Sequence, residues 1–265
     1  VPSVPELPEV EAYRRLGEQR ALGRPVAEVL APDPWILKRG LTAGAAAAAL
    51  EGRSLTASRR IGKLLLLDTS AAGPVLGVRF GMTGRLLVDD RAGVERLLYS
   101  TAREEPAWRR FGLRFADGGG LVLVDPRRLG GIELDPDESR LGDDALTLGA
   151  SALRRVLVSS RAPLKARLMD QARVAGIGNL LADEILWRAG LAPVREAASL
   201  TPPEMRRLHR HLRATVDELV ARGGSHTGDL MASRRPGGRC PRDGTALLRA
   251  TVGGRTTWWC PRHQR

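Results

Sequence analysis

The sequence predicts an α+β protein in three parts: an N-terminal antiparallel β-sandwich or barrel, a helical domain, and a small C-terminal β-hairpin. Three observations lead there. Between residues 26 and 134, short β-rich runs are separated by Gly and Asp turns without regular helices between them, which favours antiparallel layers over βαβ units. From about residue 150, apolar residues recur at helical spacing. After a Pro/Gly/Arg-rich stretch at 234–239, a tail carries both cysteines of the chain, Cys240 and Cys260. The expected divisions are 5–134 for the β domain, 135–149 for an acidic linker, 150–233 for the helical domain and 234–265 for the hairpin.

With 265 residues the chain can form two modest domains, or one with an appendage. A formal net charge of +12 and a pI near 11.1 favour a polyanionic partner, and nucleic acid before membrane because no amphipathic basic helix is evident. On charge alone, the arginine-rich composition of a GC-rich genome would explain the same numbers. No apolar run reaches the 18 residues a membrane span requires, and the alanines at 45–49 fall far short. Pro2, Pro5 and Pro8 interrupt the opening residues, so no secretory signal is read there and a cytoplasmic location is expected. Two cysteines make no disulfide framework, and a metal site is the expected use for them.

Residues 10–22 place Val10, Tyr13 and Leu16 at helical spacing, with acids in the first turn where the helix dipole favours them. Strands are expected at 63–67, 75–80, 85–88, 112–115 and 121–124, with Gly118-Gly119-Gly120 as a hairpin turn. Helices are expected at 152–158, 164–172, 180–189 and 204–222. Thr201-Pro202-Pro203-Glu204 is a capping-box sequence with Pro at the first helical position, and Gly190 closes the helix before it.

Gly176-Ile177-Gly178-Asn179 allows a tight turn before a helix. Asn179 is placed to cap that helix and leave amide donors free for a phosphate. Alone, such a motif reads as a plain inter-helix turn. In the tail, Cys240-Pro241-Arg242-Asp243 and Cys260-Pro261-Arg262-His263 form two pairs, each with two intervening residues. Strand-like residues at 247–252 and 256–259 around Gly253-Gly254 would let both pairs converge on one tetrahedral ion. A metal-free hairpin held by Trp258 and Trp259 is the alternative.

The opening run Pro5-Glu6-Leu7-Pro8-Glu9-Val10-Glu11 resembles the start of the formamidopyrimidine-DNA glycosylase and endonuclease VIII family, and matches extend to Gln264. The resemblance implies a helix–two-turns–helix element around Gly178 and Asn179, with Lys165 as a DNA-contacting lysine. It implies a zinc finger, with Asp243 and His263 standing where the family has two further cysteines, and so one structural Zn2+ held by Cys240, Asp243, Cys260 and His263. Leu181 stands where tyrosine is usual. Met82 aligns with the residue that fills the gap left by an extruded base, Arg128 with the one facing the orphaned partner base, and Leu129 with a position where an aromatic is common. Read without the resemblance, Met82 is core packing, Lys63 is a solvated lysine at a strand start, and Arg255 is a generic phosphate contact at a hairpin tip.

The implied activity is that of a bifunctional DNA glycosylase and abasic-site lyase of base excision repair, acting as a monomer on double-stranded DNA with oxidised bases or abasic sites in the bacterial cytoplasm, at the nucleoid. Its implied catalytic residues are Pro5 as nucleophile, Glu6 for acid/base work on the sugar, Lys63 for base release or the first elimination, and Arg255 for the second. The interval 225–239 is short and lacks tyrosine, so strong 8-oxoguanine selectivity is not expected; His226 is read as a loop residue. Four residues, Val1 to Val4, precede Pro5. The expectation is that codon four is a GUG start whose methionine is removed to expose Pro5. A damage-binding protein of the same architecture without chemistry is the competing reading, and an unrelated β domain joined to a zinc-finger module is a distant third.

Overall fold

The computed structural model describes residues 5–94 and 105–265; the expectation concerning Val1 to Val4 lies outside them. The described chain divides into two compact units, one of residue 5 with residues 9–138 and one of residues 6–8 with 139–265.

The first unit is a two-sheet antiparallel sandwich. The helix α1 (Leu7–Arg20) continues into it and buries Val10, Tyr13 and Leu16, the three positions its spacing marked. The elements that follow are β1 (Val26–Leu30), α2 (Ala43–Leu50), β2 (Leu55–Ile61), β3 (Leu64–Thr69), β4 (Leu76–Arg79), β5 (Arg85–Val88), β6 (Arg91–Ala92), β7 (Arg109–Phe115), β8 (Gly120–Val124) and β9 (Gly131–Leu134). One sheet runs β1-β7-β8-β5-β6 and the other β2-β3-β4-β9. Leu64 to Leu67 are all fully buried, and Leu65 and Leu67 enter the sandwich core with Val78, Phe111, Leu113 and Leu121. Such a continuous apolar run is what a strand covered on both faces requires. The β7–β8 hairpin turns at Gly118 and Gly119, both at positive φ (88° and 69°), which glycine adopts without steric cost.

Among the elements the sequence did not mark, two have a clear physical origin. The strand β2 reads LTASRRI and carries two arginines, yet it pairs with β3 because those arginines find carboxylates: Arg59 meets Asp68 at 2.9 Å, and buried Arg60 meets Glu11 at 3.1 Å. The alanine stretch forms α2, whose first turn is capped by the Thr42 hydroxyl accepting from Ala45 N–H.

The second unit is helical with a terminal hairpin: β10 (Asp143–Asp144), α3 (Ala150–Val158), α4 (Leu164–Leu168), β11 (Val174–Ala175), α5 (Asn179–Ala189), α6 (Pro202–Ala221), β12 (Leu248–Val252) and β13 (Arg255–Trp259). The stretch read as a linker is built into it. Asp143 and Asp144 pair in parallel with β11, and Ala145 and Leu148 lie in the helical core. Its acidic, Gly- and Pro-containing composition gave no sign of those partners. The helix α4 stops at Leu168, four residues before the expected end, where Asp170 side-chain and backbone oxygens turn the chain. At the start of α6 the Thr201 N–H and hydroxyl both donate to Glu204, and Gly190 ends α5 in the left-handed conformation (φ 65°). No described helix is long and apolar enough to cross a membrane.

Candidate active site and metal centre

Glu6 is buried, and both its carboxylate oxygens accept from the start of α5. Leu180 N–H donates to Oε1 at 2.8 Å; Gly178 and Leu181 N–H donate to Oε2 at 3.1 and 2.9 Å. An α-helix leaves its first amides without internal partners, and its N-terminal dipole favours an anion there. A carboxylate more than 170 positions earlier in the chain fills that need. The expectation that Asn179 caps α5 and leaves its amides for a phosphate is therefore corrected. Gly178 is the cap residue, it has no side chain to offer, and three of the amides are occupied by Glu6. Gly178 must be glycine for space: a Cβ there would lie 2.2 Å from Glu6 Cδ. The residue before Glu6, Pro5, is buried.

Asn179 has a different bond. Its Oδ1 accepts from Lys165 Nζ at 2.6 Å; lysine only donates, which fixes the orientation of the amide, and Nδ2 is buried without a protein partner. Lys165 is fully enclosed. Its ammonium also donates to Thr257 Oγ1 at 2.7 Å and forms an ion pair at 2.7 Å with buried Asp183, which in turn receives Arg234 at 2.7 Å. Burial pushes the Lys165 ammonium below the ordinary lysine range against the pull of Asp183. Lys165 thus aims Asn179, and Asn179 Nδ2 is the donor left over.

In the sandwich unit, Met82 lies half-buried in the turn between β4 and β5, while Arg127, Arg128 and Leu129 are exposed in the loop before β9. Asp125, fully buried, ties the two loops together: Thr83 Oγ1 donates to its Oδ1 at 2.7 Å and Gly130 N–H to its Oδ2 at 2.8 Å. Gly81 passes so close to the Leu129 backbone that a Cβ would lie 2.3 Å from it. Arg128 has a positive φ of 56° and is held by Asp33, at 2.7 Å from Nε and 2.5 Å from Nη2. That guanidinium keeps the Asp33 carboxyl below its ordinary range. Lys63 sits half-buried just past Gly62 (φ 58°), in the tight connection from β2 to β3. Arg255 is exposed and opens β13 beside the Gly253-Gly254 turn.

The structure brings Cys240, Asp243, Cys260 and His263 together, with one potential ligand atom from each all within 4.8 Å of one another. The surroundings suit a metal. His263 Nε2 lies 3.1 Å from the Trp187 carbonyl, which leaves Nδ1 facing the cluster, and Trp187 Nε1 donates to Cys240 Sγ at 3.4 Å. Thr245 N–H, donating to Asp243 Oδ1, holds that carboxyl well below its ordinary range, so it is an anion ready to ligate. Two sulfurs, one imidazole and one carboxylate can hold a divalent metal ion.

Sequence reasoning did not single out Asp33, Asp125, Asp183 or Glu184. Nothing local in the sequence marked them as anchors. Buried Glu184 accepts from Asp229 and Leu230 N–H at 3.1 and 2.9 Å and pairs with Arg188 at 2.7 Å, fastening the 225–239 interval to α5.

The formamidopyrimidine-DNA glycosylase N-terminal domain model matches residues 4–132, and the formamidopyrimidine-DNA glycosylase H2TH domain model matches 141–230. The formamidopyrimidine-DNA glycosylase of Thermus thermophilus is 34% identical over 285 residues, covering 97% of each chain. That of Paracoccus denitrificans is 32% identical, covering 97% of this chain and 99% of its own. Among solved structures, Lactococcus lactis Fpg in complex with DNA containing N7-benzyl-Fapy-dG is similar with a TM-score of 0.82 and 26% identity, covering 98% of this chain and all of that one. The same protein in complex with abasic-site DNA gives 0.82 and 25%. The chain belongs to the formamidopyrimidine-DNA glycosylase family.

Gly178→Ala should expel the Glu6 carboxylate and leave buried amides unmatched. The expected cost is about 1–3 kcal/mol of stability, read as a lower midpoint in denaturant unfolding; an unchanged midpoint contradicts the close approach.

Proposed function

We propose that this chain is a DNA glycosylase with abasic-site lyase activity in base excision repair, and that Pro5, as the mature N-terminus, is its nucleophile. The observation that carries the reading is the anchoring of Glu6 on α5, which fixes the peptide unit that begins at Pro5. An α-amino group with a pKa near 8 is free base far more often at pH 7 than a lysine near 10.4, and the proline site must lower its more basic secondary amine further. The amine attacks the sugar C1′, the glycosidic C–N bond breaks, and the base leaves with the proton the amine sheds; the C1′–O4′ bond then opens, O4′ takes a proton, and the nitrogen lone pair completes an iminium at C1′. That cation acidifies the C2′–H; its removal expels the 3′ phosphate, and a second elimination expels the 5′ phosphate. In this scheme Glu6 orients the nucleophile and serves the sugar, Lys63 assists base release or the first elimination, and Arg255 assists the second.

Extruding a base costs a few kcal/mol, less when the base is damaged. Met82, Arg128 and Leu129, held at one locus by Asp125 and Asp33, are the residues to fill the vacated space. Arg128 faces the orphaned base. Asn179 Nδ2 serves the kinked backbone, with Lys165 holding Asn179 in place. The fastened, tyrosine-free 225–239 interval argues against a cover specific for 8-oxoguanine and for formamidopyrimidines, oxidised pyrimidines or abasic sites as substrates.

The metal is proposed to be one structural Zn2+ on Cys240, Asp243, Cys260 and His263. Its chemistry here is cross-linking of the hairpin, and it takes no part in the reaction. Metal analysis should find one zinc per chain in the purified protein and well under half of that in Asp243→Ala; no stoichiometric zinc in the parent protein rejects the assignment.

Borohydride reduction during incubation with an abasic-site duplex should trap a covalent adduct that peptide mapping places on the Pro5 nitrogen. Lys63→Ala should still trap while losing roughly 100-fold in base excision. Tight binding without an adduct, from protein whose N-terminus is Pro5, would instead establish the reading as a damage-binding protein without chemistry.

A further inference from the structure

Trp35 is the most exposed large apolar side chain among the described residues, at 65%, and nothing in the repair scheme yet uses it. It is not a loosely held surface residue. It sits in a single 3-10 turn, Pro34–Ile36, whose flanks are pinned: Ile36 is fully buried, Leu37 bridges to Ile132, and Lys38 N–H donates to Ile132 O at 2.9 Å. Asp33 caps the turn by accepting from Trp35 N–H. The same carboxylate holds Arg128, so one anion ties the backbone that carries Trp35 to the Arg128 guanidinium. Two cations lie by the ring: Lys38 Nζ is 5.5 Å and Arg128 Cζ 6.0 Å from its centroid. An exposed indole on a pinned turn, flanked by two cations, has the two properties used to bind nucleic-acid strands, a stacking face and charge complementary to phosphate. The neighbouring position offers only Leu129, 49% exposed and without an aromatic face.

We infer that Trp35 stacks on a base of the strand opposite the lesion, beside the orphaned partner that Arg128 faces. The inference rests on the placement of Arg128 under the proposed function. It adds a second contact to the undamaged strand, supplied by a different loop from the one that carries Arg128 and Leu129.

The test uses full-length protein and a duplex bearing a tetrahydrofuran abasic analogue, which binds without reacting, with 2-aminopurine placed in turn at each position flanking the orphaned base. Wild-type protein should change the fluorescence at one of these positions. Trp35→Ala should abolish that change and weaken the dissociation constant by roughly 5- to 100-fold, whereas Trp35→Phe should keep most of both. Circular dichroism and thermal midpoint should be preserved in both variants, because the ring is exposed. Unaltered fluorescence and affinity in Trp35→Ala overturn the inference and leave the indole to some other surface, such as a protein partner. Wild-type protein that binds this duplex no better than an undamaged one would overturn the repair reading itself, and the stacking contact with it.

Discussion

The structure depends first on a carboxylate capping a helix to which it is distant in sequence. Glu6 satisfies three amides at the start of α5, a place where a helix ordinarily relies on its own cap residue or on solvent. Gly178 is the cap residue and contributes no side chain, so Glu6 is the group that neutralises the positive end of the dipole. The arrangement is self-consistent: a side chain at 178 would occupy the space the carboxylate needs. What it secures is the position of the residue after Pro5, and a nucleophile is useful only if its place is set before the substrate arrives.

Buried carboxylates recur as anchors at several of the proposed DNA contacts. Asp125 joins the Met82 turn to the Arg128 loop, Asp33 joins that loop to the Trp35 turn, and Asp183 joins Lys165 to Arg234. In a chain with a net charge of +12, buried acids are where the arginines and lysines acquire fixed directions. Partnered buried charges of this kind contribute little net stability, but removing one partner strands the other, which makes them positioning elements.

Features whose physics is local were legible in the sequence. The four consecutive leucines of β3, the helical spacing of Val10, Tyr13 and Leu16, the glycine hairpin at 118–119 and the Thr201–Glu204 cap all appear as read. So does the convergence of Cys240, Asp243, Cys260 and His263, because two pairs on a short hairpin have few other arrangements. What was illegible depends on partners far along the chain. The strand β2 is hidden by arginines whose carboxylates lie on α1 and β3, the stretch at 143–144 by its pairing with β11, and the cap of α5 by a glutamate near the other end of the sequence. Asn179 looked like a cap because caps are local; its oxygen is instead taken by Lys165, leaving its nitrogen as the unpartnered group.

The anchoring of Glu6 is most directly tested by site-resolved hydrogen exchange at the first amides of α5. Amides at these positions exchange quickly in a helix capped only by water. With Glu6 in place, Leu180 and Leu181 should be strongly protected, and Glu6→Ala should speed their exchange by roughly tenfold or more while the middle of α5 is unaffected, since 1.4 kcal/mol of lost hydrogen bonding is a factor of ten. Equal exchange at Leu180 and Leu181 in the parent and the variant would contradict the account, because the peptide unit beginning at Pro5 would then have no anchor.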